Sequence, residues 1–170
     1  MYYLKLFLDI CLWRAKPQDV PTSITLLALA LFINLVLSVL SLLGKLEMGA
    51  ALKVAVADLV LLVALVHTAL LLRNKGVRSQ QTLSALAGIG VFFLLLSWIA
   101  DFAFSGITNN TGAILQFVIL GWYLFIFANI VKQAMEFPLP IGIAFAVFYL
   151  LLSMGLSGAL APELISEARG

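Results

Sequence analysis

The chain has 170 residues, of which 64% are hydrophobic and only 11% are charged, and its formal net charge is +2. Soluble domains are about half apolar and about a quarter charged, so this composition excludes a soluble globule and indicates lipid as the main solvent. The ten Lys and Arg residues form no basic stripe, which argues against nucleic acid as a partner.

Ligands for a metal are scarce in this sequence. There is one cysteine, Cys11, and one histidine, His67, and the carboxylates are scattered. A single cysteine cannot form an internal disulfide. We therefore expect neither a metal centre nor any other cofactor.

The first 18 residues are too few and too charged to span a bilayer. On a helix, Lys5, Asp9 and Lys16 fall within about 40° of each other, and most of the remaining surface is apolar or aromatic. This pattern predicts a short interfacial amphipathic helix over residues 1–18, with Trp13 and Arg14 near the lipid headgroups. The alternative is a helix that docks on its own bundle.

Residues 19–170 contain five apolar runs of roughly 20 residues, the length that a spanning helix needs. Pro21, with Thr22 and Ser23 as possible N-caps, precedes the first run. The predicted fold is therefore all-α: a polytopic membrane bundle of five transmembrane helices. The predicted spans are about 22–43, 52–72, 82–100, 113–131 and 139–161.

The distribution of Lys and Arg predicts the orientation, because cytoplasmic loops of membrane proteins are enriched in these residues. One side of a five-span chain receives seven of the ten: Lys5, Arg14, Lys16, Arg73, Lys75, Arg78 and Lys132. The other side receives Lys45, Lys53 and Arg169. We expect a cytoplasmic N-terminus and an external C-terminus, in a bacterial inner membrane.

Two ionisable side chains, Asp58 and His67, lie inside the second span. They are nine positions apart on the helix, which is about 13.5 Å of rise and half a turn net. They therefore point to opposite sides of the helix, which disfavours a direct proton relay. A carboxylate inside a span rarely faces lipid, so Asp58 is predicted to face the bundle interior, a wet cavity or a partner chain. His67 is predicted to be interfacial.

Other polar side chains lie at depths in the membrane where they could contact Asp58 or His67. Gln116 is near the outer side, Asn34 is near mid-depth, and Asn129 and Lys132 share a face toward the cytoplasm. These six residues are candidate intramembrane polar or partner contacts. The simpler alternative is that the polar groups only join helices by hydrogen bonds.

Small residues predict close helix crossings. Ser84 and Gly88 are four apart in the third span, and Ser153 and Ser157 are four apart in the fifth. Gly155 and Ala159 make a further pair. The spacing does not say whether the neighbour is this chain or another.

No catalytic motif is present: there is no GxSxG, no HExxH and no phosphate-binding glycine loop. No nucleophile is paired with a base. We therefore expect a protein that is not an enzyme.

Three stretches carry a resemblance to a known family: "LLLRNKGVRSQQTLSALAGIG" (70–90), "ILGWYLFIFANIVKQAM" (119–135) and "AFAVFYLLLSMGL" (144–156). With the short N-terminal segment, the early proline and the five closely connected spans, they resemble the Yip family. The resemblance implies a non-enzymatic, five-span membrane protein. Eukaryotic relatives bind Rab GTPases, but their long acidic N-terminal region is absent here, and their Gly-Gly before the third span is reduced to Gly76.

Two hypotheses follow. The first is a membrane scaffold or accessory subunit that acts through helix faces and its N-terminal helix, and that either holds other membrane subunits, or copies of itself, or shapes the bilayer. The second is a minimal transporter or channel element in which Asp58, Gln116 and Asn34 line a polar path.

Overall fold

A computed structural model describes residues 7, 9–11, 14, 17–104 and 111–162. Its described part is helical and contains no strand, which confirms the all-α prediction. Five helices are long and apolar enough to cross a membrane. They are α1 (Ile24–Leu42), α2 (Met48–Leu72), α3 (Ser79–Phe104), α4 (Thr111–Met135) and α5 (Leu139–Leu160). Short 3₁₀ turns lie at Pro17–Asp19 and Gly76–Arg78.

The helix boundaries follow local chemistry. Ser23 is the N-cap of α1, as predicted, and its hydroxyl accepts a hydrogen bond from the Leu26 N–H. The helix α2 begins at Met48, four residues before the predicted span, so Gly49 lies in its first turn instead of in the loop. The chain leaves α2 through Asn74, whose φ of 55° is left-handed, a conformation that asparagine tolerates better than most residues.

The five helices form a closed ring. The contacting neighbours around it are α1 with α3, α3 with α4, α4 with α5, α5 with α2, and α2 with α1. Consecutive helices are therefore not always neighbours, and α2 makes little contact with α3 or α4. A ring of this order leaves room at its centre where α2 faces α3 and α4.

The two ends of the ring differ in packing. At the end that carries residues 73–78 and 132–138, called here the basic end, the first half of α3 and the last third of α4 are almost wholly buried. Toward the opposite end, called the far end and marked by the loop 43–47, fewer residues are buried. The molecule is thus dense at the basic end and more open toward the far end.

Close backbone contacts build the dense half. A Cβ placed on Gly142 of α5 would come within 2.5 Å of the Ala128 carbonyl oxygen on α4. Only glycine permits two helix backbones to approach this closely. Gly142 therefore sets the separation between α4 and α5.

The described residues of the N-terminal segment pack on the bundle. Asp9, Ile10 and Cys11 are helical, and Ile10 and Cys11 are buried within the main core. Phe7 lies against Gly88 of α3, where a Cβ would meet its ring. This packing is what the docking alternative describes for these residues. Lys5, Trp13 and Lys16, on which the interfacial prediction rested, lie outside the described residues.

Candidate functional site

The carboxylate of Asp58 binds two hydroxyl groups of α5. The Tyr149 hydroxyl donates to Oδ2 at 3.0 Å, and the Ser153 hydroxyl donates to Oδ1 at 2.5 Å. Tyr149 and Ser153 are four residues apart, so both side chains leave α5 on the same face. The two carboxylate oxygens are the acceptors in these hydrogen bonds. Asp58 thus faces the bundle interior, as predicted.

Aromatic packing fixes the position of Tyr149. Its ring stacks on Phe127 of α4 with centroids 5.2 Å apart and an interplanar angle of 11°. Phe127 also contacts Tyr123, and Tyr123 contacts Phe93 of α3 at 5.5 Å. Because Tyr149 is buried and its ring stacks on Phe127, its hydroxyl is aimed at Asp58 without a large cost in side-chain entropy.

A cavity of about 590 Å³ lies next to this carboxylate. All five helices contribute to its lining. The lining of α4 runs from Ala113, in its first turn, to Tyr123, which is about 15 Å along the helix. The cavity therefore extends from the middle of the bundle toward the far end, and the dense half of the bundle closes it toward the basic end. Its polar lining includes Asn34, Ser38, Asp58, Gln116, Tyr149 and Ser153.

Asn34 and Gln116 each join two walls of this cavity. The Asn34 amide on α1 donates to the Ala87 carbonyl oxygen on α3 at 3.2 Å, and Gly90 leaves the space that its Nδ2 occupies. The Gln116 amide on α4 donates to the Asp101 carboxylate at 2.7 Å and to the Ser97 carbonyl oxygen at 3.2 Å. Asn34, Asp58 and Gln116 thus line one cavity without hydrogen bonds among them.

The structure places His67 away from this cavity. His67 is exposed, and its Nδ1 lies 3.2 Å from the Ser79 hydroxyl at the start of α3. Ser79 itself donates to the Gly76 carbonyl oxygen at 2.6 Å, so its single proton is used. Nδ1 of His67 is therefore the donor. Asp58 faces α5 while His67 faces α3, in agreement with the predicted half turn between them.

Asn129 and Lys132 also lie outside the cavity, toward the basic end of α4. Asn129 is buried and Lys132 is half-buried. The Cβ of Lys132 packs close to Gly142 of α5. Neither residue meets Asp58, so the six candidate contacts divide into a cavity group (Asn34, Asp58, Gln116) and a basic-end group (His67, Asn129, Lys132).

Ion pairs close the basic end. Glu136 accepts from Lys75 at 2.5 Å and from Arg78 at 2.8 Å, which ties the loop between α2 and α3 to the loop between α4 and α5. Arg73 lies over the Phe137 ring at 4.7 Å. The hydrogen bonds from Lys75 and then Arg78 lower the pKa of Glu136. These contacts reinforce the closed end of the bundle.

The small residues have individual roles. Ser84 and Gly88 are buried, and Gly88 receives Phe7 of the same chain, so this stretch serves an internal contact. Ser153 is a hydrogen-bond partner of Asp58 in addition to being small. Ser157 is half-buried, and its carbonyl oxygen accepts the N–H of Ala161.

Sequence reasoning missed Tyr149, and it considered Ser153 only for packing. A signal was present, since Tyr149 and Ser153 are a polar pair at helical spacing in a span that is otherwise apolar. Lys53, Asp101 and Gln116 have the right depth to meet Asp58, but the hydroxyls of α5 are its partners.

In the parts of the chain that the structure describes, no three His, Cys, Asp or Glu side chains come together in a way that could hold a metal. The cavity instead combines one carboxylate, hydroxyls and amides with apolar walls. Comparison with known proteins adds no assignment, because no family model, no curated protein and no solved structure matches the chain.

Proposed function

We propose that the chain is a non-enzymatic integral membrane protein that binds a small amphiphilic molecule in the cavity beside Asp58 and moves it as a minimal transport element. The observation that carries this proposal is the convergence of polar side chains from different helices on one space of about 590 Å³. Ligand sites in proteins are typically about 300–1,000 Å³, mostly apolar, with a few placed polar groups. Polar groups that only join helices need no space between them.

The difference between the two ends of the bundle supports entry of the ligand from one side. The cavity reaches the first turn of α4 at the far end, whereas buried side chains and the ion pairs of Glu136 close the basic end. A ligand therefore reaches Asp58 from the far end or from the lipid beside it. The five helices are continuous, so this proposal involves opening of the basic end and does not require broken helices.

Efflux from proteoliposomes tests the proposal. Vesicles with wild-type protein or with the Asp58→Asn variant are loaded with an equimolar mixture of small organic cations, anions and uncharged amphiphiles, and the released solutes are measured by mass spectrometry. We expect at least one solute to leave faster through the wild type than through the variant. Equal release of every solute would reject transport through this cavity.

Accessibility to water gives a second test. In a Cys11→Ala background, a cysteine at Leu94 would line the cavity, whereas a cysteine at the adjacent Leu95 would face outward, where 42% of the leucine surface is exposed. A small water-soluble thiol reagent is expected to modify Leu94→Cys faster than Leu95→Cys in membranes. The reverse order would mean that the cavity is dry and closed.

We propose further that the basic end lies in the cytoplasm of a bacterial cell, so that the far end and the C-terminus face outward. The excess of Lys and Arg at the basic end supports this orientation. Val77, in the loop at the basic end, is 91% exposed and provides a labelling site. A Val77→Cys variant that an impermeant reagent labels in intact cells would reverse the orientation.

The second candidate function is a scaffold or accessory subunit. Its support is the exposed face of α5, where Gly155 has open space around the position of a Cβ and Ala159, four residues on, is also exposed. This pair leaves room for a helix from another chain. Native mass spectrometry of the gently extracted protein would show a fixed stoichiometry with a partner, whereas a lone monomer after crosslinking would reject it.

The likeness to the Yip family is a proposal about ancestry that is compatible with either function. It rests on the sequence stretches and on the five spans alone. The ring order gives it a test: a Yip-family structure in which α5 did not lie between α2 and α4 would contradict the relationship.

A further inference from the structure

We propose that the cavity selects a monovalent organic cation with an apolar body, an inference that rests on the proposed function and names its ligand class. The first argument is charge. Asp58 is the one charged side chain among the described residues that line the cavity. A carboxylate away from water is costly unless a positive group compensates it. Among the described residues, the lining supplies hydrogen bonds to Asp58 but no cation, so a positively charged ligand would add the opposite charge that the lining lacks.

The second argument is the remaining capacity of Asp58. A carboxylate has about four lone-pair sites, and the hydroxyls of Tyr149 and Ser153 occupy one on each oxygen. Because Asp58 also lines the cavity, free lone pairs remain on the carboxylate. The two hydroxyls hold the carboxylate in place, so that an incoming cation meets a fixed negative charge.

The third argument is the nature of the other walls. Leu62, Leu94 and Leu120 come from three different helices and give the cavity a mostly apolar lining. Phe93 and Tyr123 add aromatic rings. Ring faces attract cations, and apolar walls favour a ligand whose charge is attached to a hydrocarbon body.

Other ligand classes fit less well. A small metal ion such as Ca²⁺ takes six to eight oxygen ligands, and this lining is mostly apolar. An anion, or the phosphate of a zwitterionic phospholipid, would lie near Asp58, and no Lys or Arg stands among the described residues of the lining to pair with it. Lys53 is exposed and lies five positions before Asp58, which turns it about 140° around α2.

Two probes of the same shape and opposite charge test the charge preference. Tetraphenylphosphonium and tetraphenylborate both carry four phenyl rings on a central atom. Their binding to the purified full chain in detergent is measured by equilibrium dialysis, with protein-free micelles subtracted. We expect the cation to bind roughly tenfold or more tightly than the anion, because an opposite charge in a partly buried site is strongly favoured.

Two matched variants show which carboxylate causes the preference for the cation. Asp58→Asn keeps the shape of the side chain and is expected to remove the preference for the cation. Glu47→Gln makes the same change from carboxylate to amide at an exposed side chain that makes no helix-capping hydrogen bond and does not line the cavity. Its cation affinity is expected to stay within about twofold of the wild type, since solvent screens exposed charges. An equal loss in both variants would overturn the assignment to Asp58.

The remaining outcomes are distinct. If both ions bind equally, or the anion binds better, the cation inference fails while a cavity that binds amphiphiles survives. If neither ion binds, the proposed function fails as well. If added phosphatidylethanolamine displaces the cation but phosphatidylglycerol does not, the ligand is a lipid ammonium headgroup and the free-cation assignment is wrong. If Asp58→Asn does not fold, the comparison of the two ions on the wild type still decides the charge preference.

Discussion

The hydroxyl of Tyr149 on the last helix donates to the carboxylate of Asp58 on the second helix, across 91 positions of the sequence. This contact joins two helices that are not consecutive and positions the charge beside the cavity. The packing of the bundle and the proposed binding of a ligand therefore depend on the same pair of side chains.

Replacing Tyr149 with phenylalanine is expected to destabilise the bundle modestly. The variant keeps the stacked ring and loses one hydrogen bond to Asp58, which corresponds to about 0.6–1.7 kcal/mol between membrane helices. Unfolding of the purified protein by a denaturing detergent measures the change. Tyr123→Phe is the control, since that ring lines the same cavity, and a loss as large as that of Tyr149→Phe would show that the Asp58 contact contributes nothing specific.

Gly142→Ala is expected to destabilise by about 1–3 kcal/mol, the usual cost of overpacking. The added Cβ would meet the Ala128 carbonyl oxygen, and a backbone atom cannot move aside as a flexible side chain can. Gly155→Ala provides the matched control, because it has open space, and it is expected to be neutral or to gain up to about 1 kcal/mol of helix propensity. Thermal unfolding in detergent measures both variants. Equal melting temperatures would contradict the close crossing of α4 and α5.

The ion pairs of Glu136 are expected to make the basic end sensitive to acid. The pKa of Glu136 is lowered from its ordinary value of 4.5, with the Lys75 and Arg78 hydrogen bonds as the main causes. A group with a lowered folded-state pKa stabilises the fold above its ordinary pKa and loses that stabilisation as the pH falls through the lowered value. The melting temperature of the wild type is therefore expected to fall more steeply below pH 4.5 than that of Glu136→Gln.

The Glu136 side chain is exposed, so the acid effect is small and salt reduces it. Glu136 has a left-handed φ of 56°, and glutamine makes the same demand on the backbone as glutamate, which isolates the charge. Identical pH profiles for the two proteins at low salt would mean that these ion pairs do not stabilise the fold.

Cys11 is expected to resist thiol reagents in the folded protein. Burial raises the pKa of its thiol from 9.0 to about 11, which lowers the thiolate fraction about 100-fold near neutral pH. Maleimide labelling at pH 7.5 measures the rate before and after denaturation. Val77→Cys in a Cys11→Ala background is the exposed control. Rapid labelling of folded Cys11 would show that the N-terminal segment leaves the bundle.

The five helices could be predicted from the sequence because hydropathy and the Pro and Gly residues between spans mark them directly. The helices α2, α3 and α4 extend past their predicted spans, as at Met135 against residue 131, because a helix continues into the polar interface beyond the hydrocarbon. The helices α1 and α5 stay within theirs. The half turn between Asp58 and His67 was also predictable, since it follows from helix geometry alone.

The neighbours of each helix could not be predicted. A membrane helix is apolar on all sides, so no hydrophobic stripe marks the face that is turned to the bundle. For this reason the depth of Gln116 suggested a partner for Asp58, while the ring order places α5 and its hydroxyls there. The cavity could not be predicted either. It lies between helices, and hydropathy does not show how the helices are arranged around one another.

The ring order also has a consequence during synthesis. Both hydroxyls that bind Asp58 belong to α5, and they follow it by 91 and 95 residues. At about 5–20 residues per second, the ribosome needs roughly 5 to 20 seconds to make that length of chain. During that interval Asp58 is in the nascent protein without either partner, and α2 cannot meet α5 until the final helix inserts. The helix α5, which is translated after α1 to α4, thus completes the hydrogen bonds of Asp58.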